Sequence, residues 1–348
     1  MQTTVARVDV DTQVDGRALV RWELEGPPIA VDVAAGTTPE SIDHTHVATV
    51  PADQTSLLVA GRGNGRLFVS VAPHGAGPAV VAADRRVPFE GIQNFRDLGG
   101  YRTRSGGMVR WGLVFRADAL HGLSASDLAL YGQLGLTTVY DLRRDVEREQ
   151  LPNPVPSRPL TVLSEPVGGQ SVAVATAAER LTADDGERVL LELYLGLIDN
   201  AAVQIGELFA GLAAPDGLPA VFHCHAGKDR TGIAAALLLE VLGVERDAVL
   251  DDYELTARYR RREHQDTSFQ RLVEAGMTPE AAAGVLSAPR WAMEQALADL
   301  DRRHGGVEPY LTGPAGLTRA DLQTLRDRLI VRGAGSGGAR IEPSPLGR

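Results

Sequence analysis

Ten residues constrain this chain more than any others: His223-Cys224-His225-Ala226-Gly227-Lys228-Asp229-Arg230-Thr231-Gly232, which hold the single cysteine among 348 residues. The apolar run Leu218-Pro219-Ala220-Val221-Phe222 leads into them, and a helix-forming run from Ile233 to Leu242 leads out. That order predicts a strand, a tight loop and a helix, with the cysteine at the strand's end. In α/β folds ligands bind at such places, outside the carboxyl ends of strands and at the amino ends of helices.

Five residues separate Cys224 from Arg230. A loop that short, closing onto a helix start, turns several backbone N–H groups toward one point and makes a nest for a phosphate dianion. Gly227 permits the backbone angles and the close approach. Arg230 can hold two phosphate oxygens with its planar fork, which lysine cannot copy. The same N–H groups and the helix dipole favour thiolate over thiol. Cys224 then reads as an in-line nucleophile on phosphorus that forms a phosphocysteine. Thr231 sets a hydroxyl beside the sulfur, where it can ease breakdown of that intermediate. His223 reads as ordering the loop by hydrogen bonding and not as a base.

His-Cys-x5-Arg-Thr resembles the signature of the cysteine-dependent phosphatases. The full string HCHAGKDRTG is similar to that of the bacterial tyrosine phosphatase family that also handles phosphoinositides. Three further stretches are similar to motifs of that family: Asn94-Phe95-Arg96-Asp97-Leu98-Gly99-Gly100, Phe115-Arg116-Ala117 with Asp118 after it, and Asp141-Leu142-Arg143. The resemblance covers roughly Phe89 to Val331. It implies an α/β cysteine-phosphatase fold, with a central, mostly parallel sheet flanked by helices. It implies phosphate monoester hydrolysis with no metal and no cofactor, on phosphotyrosyl protein or on phosphoinositides. Cys224 and Arg230 carry the chemistry. His225, Ala226, Gly227, Lys228 and Thr231 line the substrate, and His223, Arg116, Asp118, Asn94, Arg96 and Asp97 support the loop. Taken alone, Arg96 and Asp97 read as a structural ion pair. Lys228 adds a positive charge that could meet a second ring phosphate; the plainer alternative is general attraction for phosphate.

The general acid is left open. The chain has no Trp-Pro-Asp tripeptide. Asp229 within the loop and Asp141 at a strand end are the first two candidates, and Asp118 is the third. Each could instead accept loop N–H groups or an arginine. Strand ends that carry charge recur at Arg116, Asp141 and Cys224, so parallel neighbours would bring them to one rim.

Before residue 89 no convincing helix is expected. Short alternating runs recur at Ala18–Glu23, Ile29–Val33, His46–Val50, Ser56–Val59 and Leu67–Val71, separated by turn signals such as Gly63-Asn64-Gly65. They predict a small antiparallel β-sandwich over residues 1–88, loosely similar to a fibronectin type III module, with Trp22 in its core. Asp84 to Pro88 reads as the boundary, residues 89–332 as the catalytic domain, and 333–348 as a flexible tail by composition. Residues 152–186, rich in proline and then in small residues, read either as a lid or as a plain surface excursion. Helices are expected over Val189 to Leu212, Arg246 to Arg262, Thr267 to Ala275, Thr278 to Leu286, Pro289 to His304 and Thr318 to Val331. The basic end Tyr259-Arg260-Arg261-Arg262 reads as a solvated helix face in preference to a docking patch.

Composition narrows the partners. A net charge of −10 argues against nucleic acid. No apolar run is long enough to span a membrane, though peripheral contact is left open, and the amino terminus lacks the order of a secretion signal. One cysteine allows no internal disulfide, and the chemistry needs it reduced, so the expectation is cytoplasmic. The oligomeric state is not legible. Two other readings compete. A catalytically silent phosphate-binding or recruitment module would be expected to lose Cys224 or Arg230. Sulfur transfer or arsenate reduction is weakened by the lack of a second cysteine.

Overall fold

The computed structural model describes residues 3–13, 16–45, 47–60, 66–75, 77–154, 161–164, 183–260, 267–274 and 276–331. The Gly63–Gly65 turn, most of the 152–186 segment, Arg261, Arg262 and the tail from 333 lie outside them.

The first strands are β1 (Thr4–Thr12), β2 (Ala18–Glu25), β3 (Val31–Gly36), β4 (Ala48–Val50), β5 (Ser56–Val59), β6 (Phe68–Pro73) and β7 (Val80–Ala83). They make two antiparallel sheets, ordered β1-β2-β5 and β4-β3-β6-β7. Alternate residues face inward, as the pleat requires. Val5, Val20, Trp22, Val31, Val33, Val69 and Val71 share one core, so Trp22 is a core residue as expected. The sequence reading left β1 and β7 unnamed, although the Val8-Asp9-Val10-Asp11 stretch of β1 alternates; β7, Val-Val-Ala-Ala, carries no such pattern.

The chain continues with β8 (Arg96–Asp97), β9 (Met108–Val109), β10 (Val114–Ala117), α1 (Ala125–Gln133), β11 (Thr138–Asp141), α2 (Asp145–Gln150) and β12 (Thr161–Ser164). Next come α3 (Ala183–Asn200), α4 (Ala202–Ala213), β13 (Ala220–His223), α5 (Asp229–Val241) and α6 (Arg246–Tyr259). The described chain closes with α7 (Thr267–Glu274), α8 (Pro279–Leu286), α9 (Arg290–His304), α10 (Val307–Thr312), α11 (Arg319–Leu329) and β14 (Ile330–Val331).

The central sheet runs β12-β11-β13-β10-β8. Four strands are parallel, and β8 lies antiparallel at the β10 edge. Its two faces feed two cores. Val114, Tyr140, Ala220 and Phe222 join helices α3 to α6 and α9 to α11. Phe115, Val139 and Val221 join Phe89, Phe95 and Tyr131 on the α1 side. Helix α5 is buried nearly all round, from Thr231 to Val241, which suits a sequence of alanine and leucine with no polar face.

Several boundaries differ from expectation. The long helix expected over Val189 to Leu212 begins at Ala183 and breaks at Ala201. Asn200 caps the first piece by donating to the Gly196 carbonyl, 2.8 Å. The last two residues of the final expected helix leave it as β14 and pair with β9. Ser124 and Asp127 form a reciprocal capping box on α1. Among the described residues no helix is long and apolar enough to cross a membrane.

Candidate active site

The parallel register sets Ala117, Asp141 and His223 side by side at the carboxyl ends of β10, β11 and β13. Asp118, Leu142 and Cys224 follow at one rim, so the expected convergence is present. Cys224 itself is buried, at 2% exposure.

The loop is held from outside by its carbonyls. His223 Nδ1–H donates to the Cys224 carbonyl, 3.1 Å. The Ala119 N–H donates to the His225 carbonyl, 3.0 Å. Asn94 Nδ2 donates to the carbonyls of Ala226 and Gly227, both at 3.1 Å. Arg116 Nη2 donates to the Gly227 carbonyl at 2.8 Å. With every carbonyl from 224 to 227 taken, the N–H groups from His225 to Arg230 have no acceptor among the described residues. The last of them are the orphan donors of a helix start. Gly227 is required twice over. Its φ is +65°, and a Cβ would lie 2.6 Å from the Ala117 carbonyl oxygen.

Two buried clusters support those donors. Asp252, on the inner face of α6, accepts from Arg96 Nε (3.1 Å), Arg116 Nη1 (2.6 Å) and Tyr101 (3.0 Å). Arg96 in turn donates to the Asn94 side-chain oxygen. Burial would raise the Asp252 carboxyl, but Arg96 and Arg116 outweigh it and hold it far below the usual range. Burial and the charge of Arg96 bring Arg116 down to about 10, so it stays cationic at neutral pH. The expected Arg96–Asp97 pair is therefore corrected: neighbouring strand residues point to opposite faces. Arg96 pairs with Asp252, whereas Asp97 pairs with Arg66 at 2.6 Å.

On the other side, Asp141 is locked by Arg143, with Nε to Oδ1 at 2.9 Å and Nη2 to Oδ2 at 2.8 Å, and by Asn153 at 3.0 Å. Burial pushes its carboxyl up, but Arg143 dominates and holds it below the usual range. Asn153 also donates to His223 Nε2, 3.1 Å. A ring that donates from Nδ1 and accepts at Nε2 is neutral. Burial brings His223 down to about 4, in keeping with that tautomer and with a loop-ordering role.

Arg230 is the best-defined cation. Its Nη1 and Nη2 each donate to Glu147 at 2.8 Å, and Nη1 also donates to the Leu142 carbonyl at 3.2 Å. Of five N–H donors this leaves Nε–H and one on Nη2, which share an edge of the fork. That edge can take two phosphate oxygens. Burial opposes ionisation of Glu147, but Arg230 brings its carboxyl down to about 2. The sequence reading missed Glu147. Its signal was there: Arg144-x-x-Glu147 has capping-box spacing, and Glu147 does accept from the Arg144 N–H at 2.9 Å. Asp252 was missed too, although it sits on the apolar stripe of Val249, Leu250, Tyr253 and Thr256.

Lys228 departs from expectation. It is 2% exposed. Its ammonium donates to the carbonyls of Val285 (2.5 Å) and Ser287 (2.9 Å) and pairs with Asp229 at 3.3 Å. A lysine has three donors, and all are taken by these partners, so Lys228 ties the end of α8 to the loop and has no N–H left to donate to substrate. Asp229 is a quarter exposed. Its Oδ1 accepts from Tyr194 at 2.9 Å, and Tyr194 bonds Tyr253 at 2.6 Å; among the described residues its other oxygen has no partner. Asp118 accepts the N–H groups of Gln93 and Asn94, each at 3.1 Å, and burial pushes its carboxyl up to about 6. The Thr231 hydroxyl is fully buried and unpaired among the described residues. His225 stacks on His121 at the mouth, ring centres 6.4 Å apart.

The tyrosine phosphatase family matches residues 87–331. A Cupriavidus necator protein named as a candidate tyrosine-protein phosphatase is 32% identical over 259 residues, covering 73% of this chain and 93% of that protein. The triple specificity protein phosphatase PtpB of Mycobacterium tuberculosis is 30% identical over 284 residues, covering 71% of this chain and 99% of that protein. The crystal structure of P. aeruginosa TpbA is 21% identical, covers 55% of this chain and 90% of its own, and has a TM-score of 0.23, below what identifies a shared fold.

Proposed function

The chain belongs to the tyrosine phosphatase family, and we propose that it hydrolyses phosphotyrosine in proteins through a phosphocysteine on Cys224. The observation that carries this reading is the loop whose carbonyls from Cys224 to Gly227 are bound outward, leaving its N–H groups and one edge of Arg230 for a single anion.

In the first step the Cys224 thiolate attacks phosphorus in line. The P–O bond to the aryl group breaks, and its electron pair leaves with the oxygen. Loop N–H groups and the free edge of Arg230 hold the three equatorial oxygens, where charge spreads in the transition state. Asp229 protonates the departing oxygen. It is assigned ahead of Asp141 because Asp141 has both oxygens bound in a buried fork, whereas Asp229 is accessible with one oxygen held in place by Tyr194. In the second step the Asp229 carboxylate takes a proton from water, water attacks phosphorus, and the S–P bond breaks. The Thr231 hydroxyl stabilises the returning thiolate.

Phosphoinositides are a second reading, favoured by similarity to a relative named for triple specificity. The donors of the loop lysine expected to serve it are bound within the protein, and burial holds the His225 imidazole below its usual range, so His225 offers a hydrogen bond and not a charge. The catalytic domain over 89–332, its division from the sandwich at residue 88, and a reducing, cytoplasmic setting for Cys224 form part of the same proposal.

The test is steady-state hydrolysis by wild type and Cys224→Ser, without added metal. The substrates are an aryl phosphate, a phosphotyrosyl peptide and soluble phosphoinositides. Turnover abolished in the serine variant supports the reading, and the ranking of substrates decides between protein and lipid headgroup. No turnover on any of them would overturn it.

A further inference from the structure

The family match begins at residue 87, so the catalytic chemistry leaves the sandwich unexplained. One of its contacts with the rest of the molecule falls on a strand of the site. Strand β8 pairs with β10 so that Phe115 faces Asp97 and Arg116 faces Arg96. The side chains of Arg96 and Asp97 therefore leave opposite faces. Arg96 holds Asp252 and Asn94, and Asn94 holds the loop carbonyls. Asp97 faces the sandwich.

What meets Asp97 there is a built site. Arg66, just before β6, is 8% exposed in its side chain and donates Nη1 to Asp97 Oδ2 at 2.6 Å. Its Nη2 donates to the Asp84 carbonyl, 3.1 Å. Its guanidinium lies 4.9 Å from the Phe68 ring centre, 5.6 Å from Trp111 and 5.8 Å from Phe115. The remaining Asp97 bonds come from the N–H groups of Gly99 (2.7 Å) and Gly112 (2.8 Å). Arg85 adds a second tie: Nη1 donates to the Asp97 carbonyl at 2.9 Å, and the guanidinium lies 3.9 Å from the Tyr101 ring centre. The Tyr101 hydroxyl donates to Asp252.

We infer that the sandwich is a positioning element of the active site, with Arg66 as its positioning residue. Arg66 and Arg85 fix β8 from one face, and the phosphate loop hangs from the other through Arg96 and Asn94. Without Arg66, Asp97 keeps its two N–H donors but loses its buried counter-charge, and β8, though still paired by backbone bonds with Arg85 to Val87, loses the side-chain tie that fixes its sandwich-facing side. The loop N–H groups then no longer converge on one point. This deepens the phosphatase reading and rests on it.

The test uses the full chain and a readout that turnover does not enter. Cys224 is the only thiol, so its alkylation by iodoacetate, and protection of it by inorganic phosphate, report on the loop alone. Arg66→Met, Arg66→Lys and the sandwich control Asp11→Ala are compared with wild type at a temperature where all are folded by near-ultraviolet dichroism. Asp11 pairs with the exposed Arg258 and touches no part of β8. The inference predicts that Arg66→Met weakens phosphate protection and kcat/KM by about tenfold or more, since small misplacements are costly in such sites. Arg66→Lys should recover part of both. Asp11→Ala should stay within about twofold. A purely structural role would lower the unfolding temperature of Arg66→Met and leave phosphate protection unchanged, and that result would overturn the inference. Should Arg66→Met fail to fold, Asp97→Asn carries the same prediction and the same refutation. Absence of turnover in wild type would count against the phosphatase reading, while the alkylation readout would still decide this one.

Discussion

Residues with the same chemistry do different work here because their partners differ. Three aspartates stand at the rim, and their hydrogen bonds and exposure separate them. Asp229→Asn should slow hydrolysis of a poor leaving group such as phenyl phosphate by about a hundredfold or more, the usual weight of general acid catalysis, and affect p-nitrophenyl phosphate far less. Asp141→Asn should show no such dependence on leaving group and should lower stability. Equal losses on both substrates with Asp229→Asn would remove it as the acid. His223 gives a prediction in pH. Its value drops from 6.5 unfolded to about 4 folded, so the unfolded chain takes up the proton first. The stability held above pH 6.5 is then lost as pH falls through 4, amounting to about 3 kcal/mol. Asp118 works the other way between 3.8 and about 6, so the measurement is the difference between wild type and His223→Asn in denaturant midpoint. That difference should shrink with falling pH.

Elements explain what the sequence could and could not disclose. The strand, loop and helix around Cys224 were legible because each is fixed locally: an apolar run, a glycine, and a helix former with no polar face. The three strand ends at the rim were legible because charge closes each apolar run. What escaped is long-range. Glu147 lies 83 residues from the arginine it holds, and Asp252 lies 136 residues from Arg116; only folding makes neighbours of them. Lys228 misled for the same reason, because its acceptors, in the last turn of α8 and just past its end, are 57 and 59 residues away. Gly227→Ala tests the loop as an element. The added methyl must meet the Ala117 carbonyl at a positive φ, a strain of about 1–3 kcal/mol. Phosphate protection of Cys224 should fall by at least about tenfold, an unfavourable shift of that size, while circular dichroism stays native. Unchanged protection would mean that the loop does not need this geometry.

At the scale of the whole molecule, the sandwich and the α/β body are not joined by a free linker. Asp84 to Val87 runs beside Phe95 to Asp97, with backbone bonds from the Val87 N–H to the Phe95 carbonyl (3.1 Å) and from the Asp97 N–H to the Arg85 carbonyl (3.0 Å). Trp111 packs on Phe68 at 5.9 Å, across the junction. Removing residues 1–88 therefore strips the partner from a buried aspartate, which costs about 3–5 kcal/mol when one member of such a pair is lost. The truncated chain should unfold at a lower denaturant concentration than full-length protein, or aggregate. A truncated chain of equal stability and activity would show that the two parts stand independently.

The phosphocysteine is the claim on which all of this turns, and it can be seen directly. Turnover of an aryl phosphate is quenched in acid during the first cycle, and the peptide bearing the single cysteine is weighed by mass spectrometry. The mechanism predicts one phosphoryl group on Cys224 in wild type and none in Cys224→Ser. Phosphate on another side chain such as His225, or a burst of product with Cys224 unmodified, would contradict it.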